Sequence, residues 1–288
     1  MQVAPPVIDP ILEPRREARE QAEAAPAPRA SIDPARARLA TCAQLSQSDP
    51  ASAIAEGARW LVEDGGAEAE QCLGLGYAAD GQWDQARGAF LRAAESLAAD
   101  DVRRPALLGQ AANAALAGGD AAAARTALDA VLAYPGLDAG ERGEALLDRA
   151  RALVALGDGP AAQADLTTAQ TLLPNDPLVW LFSATLARRQ GEVDAAGDFI
   201  DRALELDQNN PAALLEAGNI AIRLNAFDIA REAWTRAAAS DPESAEGRAA
   251  TRNLAQLAAI VSDEANIAVT LPETDNSGED EDEDPPAN

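Results

Sequence analysis

The sequence predicts an all-α protein: a right-handed superhelical solenoid of stacked helical hairpins with disordered N- and C-terminal tails. Composition is the first reason, because 71 of the 288 residues are Ala and only 3% are aromatic. Small side chains suit closely packed helices, whereas sheets of this length need more β-branched and aromatic residues. The second reason is a set of residue classes that recurs every 34 to 38 residues. Such a period is typical of repeated helix pairs.

Residue types and charge exclude several function classes. All 23 basic residues are Arg, and the chain has neither Lys nor His. Imidazole-activated nucleophiles, imidazole metal sites, Schiff-base lysines and the P-loop lysine are therefore absent. We expect a protein that is not an enzyme, with no catalytic residue, no cofactor and no metal site. The net charge of −25 argues against nucleic acid as a partner, and no apolar run is long enough for membrane insertion.

Residues 1–32 are predicted to form a Pro-rich mobile segment. Six prolines in this stretch interrupt any long helix. Its first residues lack the basic and apolar regions of a signal peptide, and they look like the start of a mature chain whose leader was removed. We therefore expect a soluble protein in a periplasmic or exported location rather than a cytoplasmic one.

A divergent helix pair is predicted at residues 33–66. Its helices are expected at Ala35–Gln47 and Ala51–Asp64, and Pro50 is suited to open the second one. Cys42 and Cys72, the two cysteines, both fall on predicted helices. Two interpretations stay open: two small buried hydrophobic side chains, or a disulfide between neighbouring helices in an oxidising compartment.

Five helix pairs are predicted between residues 67 and 242, at 67–104, 105–142, 143–176, 177–210 and 211–242. The turn inside each pair is marked by Gly81, Gly119, Gly157, Gly191 and Asn225. Seven positions earlier, small residues allow close helix approach: Gly74, Ala112, Ala150, Ala184 and Gly218. Nine positions after the turn, bulky residues fill the space beside them: Phe90, Leu128, Leu166, Ile200 and Trp234. The first two pairs carry four extra residues, which one more helical turn or a longer connector absorbs.

These columns resemble the tetratricopeptide repeat. The resemblance is carried by Leu73-Gly74, Tyr77, Gly81, Ala86, Phe90 and Ala93, and by the equivalent residues up to Pro242. It covers residues 67–242. It implies a non-enzymatic scaffold or adaptor for protein–protein interaction, with a concave groove that is lined by the first helix of each pair and binds a peptide or protein segment.

Two further segments follow the repeats. Residues 243–262 are predicted to form an amphipathic capping helix, with Leu254, Leu257 and Ile260 on the side that covers the last repeat. Residues 263–288 contain ten acidic residues and no Arg, so like-charge repulsion predicts an acidic disordered tail.

The resemblance also implies the groove positions, which lie one, four and five residues beyond each small residue and three before it. The predicted partner-binding residues are Asn113, Leu147, Arg151, Leu181, Thr185, Arg188, Arg189, Leu215, Asn219, Ile222 and Arg223. The N-terminal half of this face is expected to be nearly uncharged, and the C-terminal half to hold four arginines with no acid among them.

Two interpretations of these arginines stay open. In the first, they pair with acids of the second helices, such as Glu192 or Asp228, or simply keep the face soluble. In the second, they bind a protein or peptide that carries acidic and apolar residues. The chain's own acidic tail is a candidate competitor, because 18 residues separate Val261 from Glu279 and a flexible chain of that length spans roughly 23 Å. Alternative functions are a structural or assembly factor that acts by self-association, and a non-catalytic subunit of an enzyme.

Overall fold

The structure, a computed structural model, describes the backbone of residues 33–270 and the side chains of residues 33–260. This part of the chain contains thirteen α-helices and no strand, so the all-α fold of paired helices is confirmed. None of these helices combines the length and apolar character that a membrane crossing needs. The Pro-rich segment 1–32 and residues 271–288 of the predicted tail lie outside the described residues. The chain divides after Ser96 into two compact units.

The first unit contains four helices, α1 (Pro34–Ser48), α2 (Pro50–Val62), α3 (Gly66–Ala79) and α4 (Trp83–Glu95). Asp33 and Asp49 cap α1 and α2, because each carboxylate accepts a hydrogen bond from a backbone N–H of the first turn. Helix α3 packs against the other three helices. Cys42 on α1 and Cys72 on α3 are fully buried and form a disulfide. Of the two interpretations of these cysteines, the structure therefore supports the disulfide.

The second unit contains nine helices among the described residues, α5 (Arg104–Ala117), α6 (Ala121–Leu132), α7 (Ala139–Ala155), α8 (Gly159–Leu172), α9 (Pro177–Gln190), α10 (Val193–Leu206), α11 (Pro211–Arg223), α12 (Phe227–Ser240) and α13 (Ala245–Thr270). Five of them begin behind a side chain that accepts a first-turn N–H, namely Asp120, Asp138, Asp158, Asp176 and Asn210. Pro at the first helical positions assists several starts, since the missing N–H would be unpaired there.

All five predicted turn residues have a left-handed backbone. Their φ angles lie between 57° and 86° at Asn225, Gly81, Gly119, Gly157 and Gly191. Gly adopts this conformation without a Cβ clash, and Asn is among the residues that tolerate it best. The left-handed residue ends the first helix and lets the chain reverse into the second.

The small and bulky columns meet as predicted from the sequence. A Cβ on Gly218 would lie 2.3 Å from Nε1 of Trp234, so only Gly lets α11 approach α12 this closely. In the first unit, a Cβ on Gly74 would lie 2.5 Å from the Phe90 ring. Close approach of the two backbones is therefore specified by a residue pair in each of these hairpins.

In the second unit the first helices form a continuous row. Helix α5 contacts α7, α7 contacts α9, α9 contacts α11, and α11 contacts α13. Within residues 97–270, the second helices α6, α8, α10 and α12 make no comparable contacts with one another. Because the first helices lie closer to one another than the second helices do, the first helices form the inner side of the row. We use the term inner wall for the surface of the first helices that faces away from the second helices.

The extra residues of the first two pairs are absorbed in different ways. In the first pair, the extra residues lengthen the connector from Ser96 to Arg103 that follows α4. In the second pair, the additional turn belongs to α7, which has 17 residues. Helix α7 is also fixed by Arg149, whose guanidinium binds Asp165 of α8 and Asp129 of α6 at 2.8 Å. These carboxylates, Asp165 foremost, raise the pKa of Arg149 above its ordinary value.

The final helix is longer than the sequence predicts. Helix α13 packs on α12 and α11 as the capping helix, but it continues to Thr270 instead of ending at residue 262. No Pro interrupts the chain before Pro272, so acidic residues 263 and 264 are accommodated within the helix. The acidic run at residues 279–284 follows nine residues after the helix end.

Candidate functional site

The predicted groove residues all lie on the first helices α5, α7, α9 and α11, but two of them are buried. Leu147 and Leu181 are only 6% and 7% exposed. Leu147 packs with Val179 and Leu186 of α9, and Leu181 packs with Ile220 of α11. The position three before the small residue faces the next first helix and is covered by it, so these two leucines are core residues and not groove residues.

Arg151 contacts one residue of its own helix, α7, and one residue of the next first helix, α9. Its guanidinium binds Oδ1 of Asp148 at 2.8 Å and lies 5.3 Å from the centre of the Phe182 ring. The cation–π contact and the ion pair both restrict the side chain. Arg151 therefore does not offer an uncompensated positive charge, which corrects the expectation from the sequence.

Arg188 is also neutralised, by a buried carboxylate. Its Nε and Nη2 donate to the two carboxylate oxygens of Glu216 at 2.6 and 3.2 Å, and Glu216 is 6% exposed. Asn219 donates to the same carboxylate, and its Oδ1 accepts a hydrogen bond from Asn253 at 3.2 Å. Four side chains thus form a polar ladder across α9, α11 and α13. Sequence reasoning missed Glu216 because it considered only four positions on each first helix.

Arg189 and Arg223 remain available for binding. Both are exposed at the C-terminal ends of α9 and α11, and no residue in the described range 33–260 forms an ion pair with either. The expected pairing with acids of the second helices is not observed, since Asp228 binds Arg231 at 2.8 Å. Two of the four predicted arginines therefore keep a free guanidinium group.

An apolar pocket of about 320 Å³ lies beside the ladder. It is lined by Arg188, Asn219, Ile222, Phe227, Trp234, Asn253, Gln256, Leu257 and Ile260. Phe227 and Ile260 are 45% and 54% exposed, while Trp234 is 5% exposed and closes the floor. Leu215 is half-buried and packs against the core cluster that contains Trp234.

Helix α13 contributes four of these lining residues, which the sequence analysis assigned only to capping. Asn253 lies 34 residues after Asn219, and Asn219 lies 34 residues after Thr185. Thr185 is half-buried at the same level of α9. This spacing of one repeat was a signal that α13 extends the inner wall as a further first helix.

A second cavity, of about 340 Å³, lies between α5 and α7. Asn113 is exposed at this cavity, next to Gln110. The facing side of α7 contributes three carboxylates, those of Glu141, Glu144 and Asp148. The inner wall is therefore acidic at this cavity, because α7 contributes carboxylates from positions outside the predicted groove set.

Comparisons with known proteins agree with this architecture. Residues 147–211 match a family model for the tetratricopeptide repeat. The fold is similar to the crystal structure of PilW, a widely conserved type IV pilus biogenesis factor, with a TM-score of 0.63 and 17% identity, covering 76% of this chain and 98% of PilW. It is also similar to TTC0263, a thermophilic repeat protein of the same family from Thermus thermophilus, with a TM-score of 0.54 and 20% identity over 66% and 98% of the two chains.

A third similarity is to the APC/C hetero-tetramer Cut9-Hcn1, with a TM-score of 0.63 and 16% identity over 81% of this chain. This chain spans only 44% of that relative's length. No curated protein matches the sequence. At these sequence identities, the similarity to solved structures establishes the fold alone and does not identify a partner.

Proposed function

We propose that this chain, a tetratricopeptide-repeat protein, is a non-enzymatic scaffold whose inner wall binds a peptide or protein segment. The observation that carries the proposal is the pocket formed by α9, α11, α12 and α13. Beside it in the sequence are two exposed guanidinium groups, because Arg189 and Arg223 directly follow the lining residues Arg188 and Ile222. Binding surfaces of this kind combine an apolar core with a polar rim. We call Arg189 and Arg223 the arginine rim.

The chemistry of this surface favours a segment with acidic and apolar residues. Guanidinium groups bind carboxylates through two parallel hydrogen bonds. Phe227 and Ile260 present exposed apolar area at the pocket, and the side-chain amides of Asn253 and Gln256 there offer donors and acceptors for a peptide backbone. One apolar side chain of the segment would enter the pocket while a neighbouring carboxylate meets the rim.

A random peptide library selected against the full chain tests this proposal. We expect enriched peptides in which Asp or Glu lies next to a large apolar residue. The Arg189→Glu/Arg223→Glu variant should bind them at least tenfold more weakly, because two attractive charges become repulsive. The matched control is Arg202→Glu/Arg231→Glu, which makes the same charge change on the second helices α10 and α12. Equal losses in both variants, or enrichment without acidic residues, would contradict the proposal.

The disulfide in the first unit supports a periplasmic or exported location. Disulfides persist in oxidising compartments and are rare in the cytosol of mesophiles. Cell fractionation with an antibody against the full chain tests this part. Recovery of the protein in the cytosol with both thiols reduced would oppose it.

A structural or assembly role through self-association is the competing proposal. Light scattering on the full chain separates the two, because a monomer leaves the inner wall open to a partner. A concentration-dependent dimer that is lost in the Arg189→Glu/Arg223→Glu variant would favour self-association.

A further inference from the structure

We infer that the acidic run Glu279–Asp284 binds the arginine rim of its own chain, so that a partner with acidic residues must displace it. The inference rests on the proposed function, because it names what regulates the same surface. Three observations support it: the direction of α13, the length of the connecting segment, and the distribution of charge on the inner wall.

Helix α13 delivers the chain to the correct end of the inner wall. The hydrogen bond between Asn219 and Asn253 aligns α11 and α13 one repeat apart, so their C-terminal ends lie on the same side. Arg223 of α11 is then level with Leu257 of α13, 34 residues later. From that level, the helix continues 13 residues to Thr270, a distance of about 20 Å at 1.5 Å per residue.

The segment after α13 has the length needed to return. Nine residues lead from Thr270 to Glu279, and they span at most about 30 Å when extended. A flexible segment of this length has a typical end-to-end distance of about 17 Å. The path back to Arg223 is about 20 Å along the helix axis and about 10 Å sideways to α11, which is within the extended reach. The sequence predicts a flexible connection of 18 residues from Val261 to Glu279, whereas the first nine of them continue α13 and fix the direction in which the chain leaves the repeats.

Charge favours the rim over the acidic part of the inner wall. Residues 279–284 are six consecutive carboxylates. The cavity between α5 and α7 presents Glu141, Glu144 and Asp148, which repel such a run. Arg202 and Arg231 on the second helices are already paired with Glu205 and Asp228. Arg189 and Arg223 lie on neighbouring first helices, whose axes are about 10 Å apart, and a run of six residues spans at most about 20 Å.

Tethering makes this contact effective even if each ion pair is weak. A short flexible connection gives an effective concentration in the millimolar range, and exposed ion pairs are screened by salt. The contact should therefore be populated at low ionic strength and released at high ionic strength or by a partner that also fills the pocket.

Paramagnetic NMR on the full chain tests the contact directly. A nitroxide is attached through Ser277→Cys, the native cysteines being closed in the buried disulfide. We expect broadening of backbone amides at residues 189–191 and 223–227 at low salt. Broadening should vanish when all six acidic residues of the run are changed to the corresponding amides, and in Arg189→Glu/Arg223→Glu. It should persist in Arg202→Glu/Arg231→Glu. No broadening at these amides, or the same broadening with the neutral run, overturns the inference.

A competition experiment tests the regulatory consequence. The probe is a fluorescent synthetic peptide with the sequence of residues 271–288, titrated against the full chain. We expect the chain with the neutral run to bind it about tenfold more tightly than the native chain, whose own run competes at millimolar effective concentration. Equal affinities overturn the inference. The NMR measurement needs no partner, so peptide binding without tail contact refutes only this inference, and tail contact without selected peptides refutes only the proposed function.

Discussion

The close approach of α11 and α12 can be tested by a single methyl group. Gly218→Ala places a Cβ 2.3 Å from Nε1 and 2.4 Å from Cδ1 of Trp234, which no rotation of the new methyl group relieves. The indole must move, and its hydrogen bond to the Leu215 carbonyl, now 3.2 Å long, is lost. Gly197 on α10 is the matched control, because a Cβ there meets nothing within 4 Å.

The two substitutions should change stability in opposite directions. Gly to Ala inside a helix stabilises by about 1 kcal/mol. At Gly218 this gain is outweighed by overpacking, about 1–3 kcal/mol, and by the lost indole hydrogen bond, about 1 kcal/mol. We expect Gly218→Ala to lower the free energy of unfolding by about 1–3 kcal/mol, and Gly197→Ala to raise it by about 1 kcal/mol.

Urea unfolding followed by circular dichroism measures both values under the same conditions. Trp234 also forms the floor of the pocket, so Gly218→Ala should weaken binding of a selected peptide while Gly197→Ala leaves it unchanged. If both variants were stabilised equally, the residue pair would not set the distance between the helices, and the argument from the small and bulky columns would be refuted.

Three other predictions concern the left-handed turn residues, the disulfide and Asp101. Gly191→Ala should lower stability by about 1–2 kcal/mol, because φ is 86° there; Asn225→Gly, at φ 57°, should raise it, and urea midpoints check both. Reducing the disulfide, which closes a loop of 30 residues, should cost about 3.5 kcal/mol by chain entropy, visible as faster amide exchange in α1; unchanged exchange would exclude this role. Hydrogen bonds from the Arg103 side chain and backbone lower the pKa of Asp101 from 3.8 to about 2, so this contribution to stability is complete above pH 3.8 and is lost as the pH falls through 2. An NMR titration of Asp101 should show that midpoint, and Arg103→Gln should move it back towards 3.8.

Local features of the hairpins were readable from the sequence because they depend on neighbours a few positions away. A left-handed residue such as Gly119 is recognised by its type, and its place in the turn follows from the spacing. The small residue and its bulky partner, as in Gly74 and Phe90, recur at one period and therefore report a contact inside each hairpin. The same reasoning predicted α2, whose Asp49-Pro50 start is a local signal.

Charge pairing on the inner wall was not readable in the same way. Arg188 meets Glu216, which is 28 positions away, and only the packing of α9 against α11 brings them together. The burial of Leu147 and Leu181 was not readable from the sequence for the same reason, because it depends on the next first helix and not on their own helix. The repeat pattern in the sequence predicts where the Cα of a groove residue lies. Whether its side chain is buried depends on the neighbouring repeat.

The sequence by itself determined the period, the helix starts, the turns and the hairpin contacts, because each is encoded within one repeat. Tertiary structure decided which arginines keep a free charge, which cysteine interpretation holds, and that α13 completes a pocket with α9 and α11. These outcomes depend on side chains from different repeats meeting across a helix interface, and the free energy of such a meeting is set by distance and burial in three dimensions.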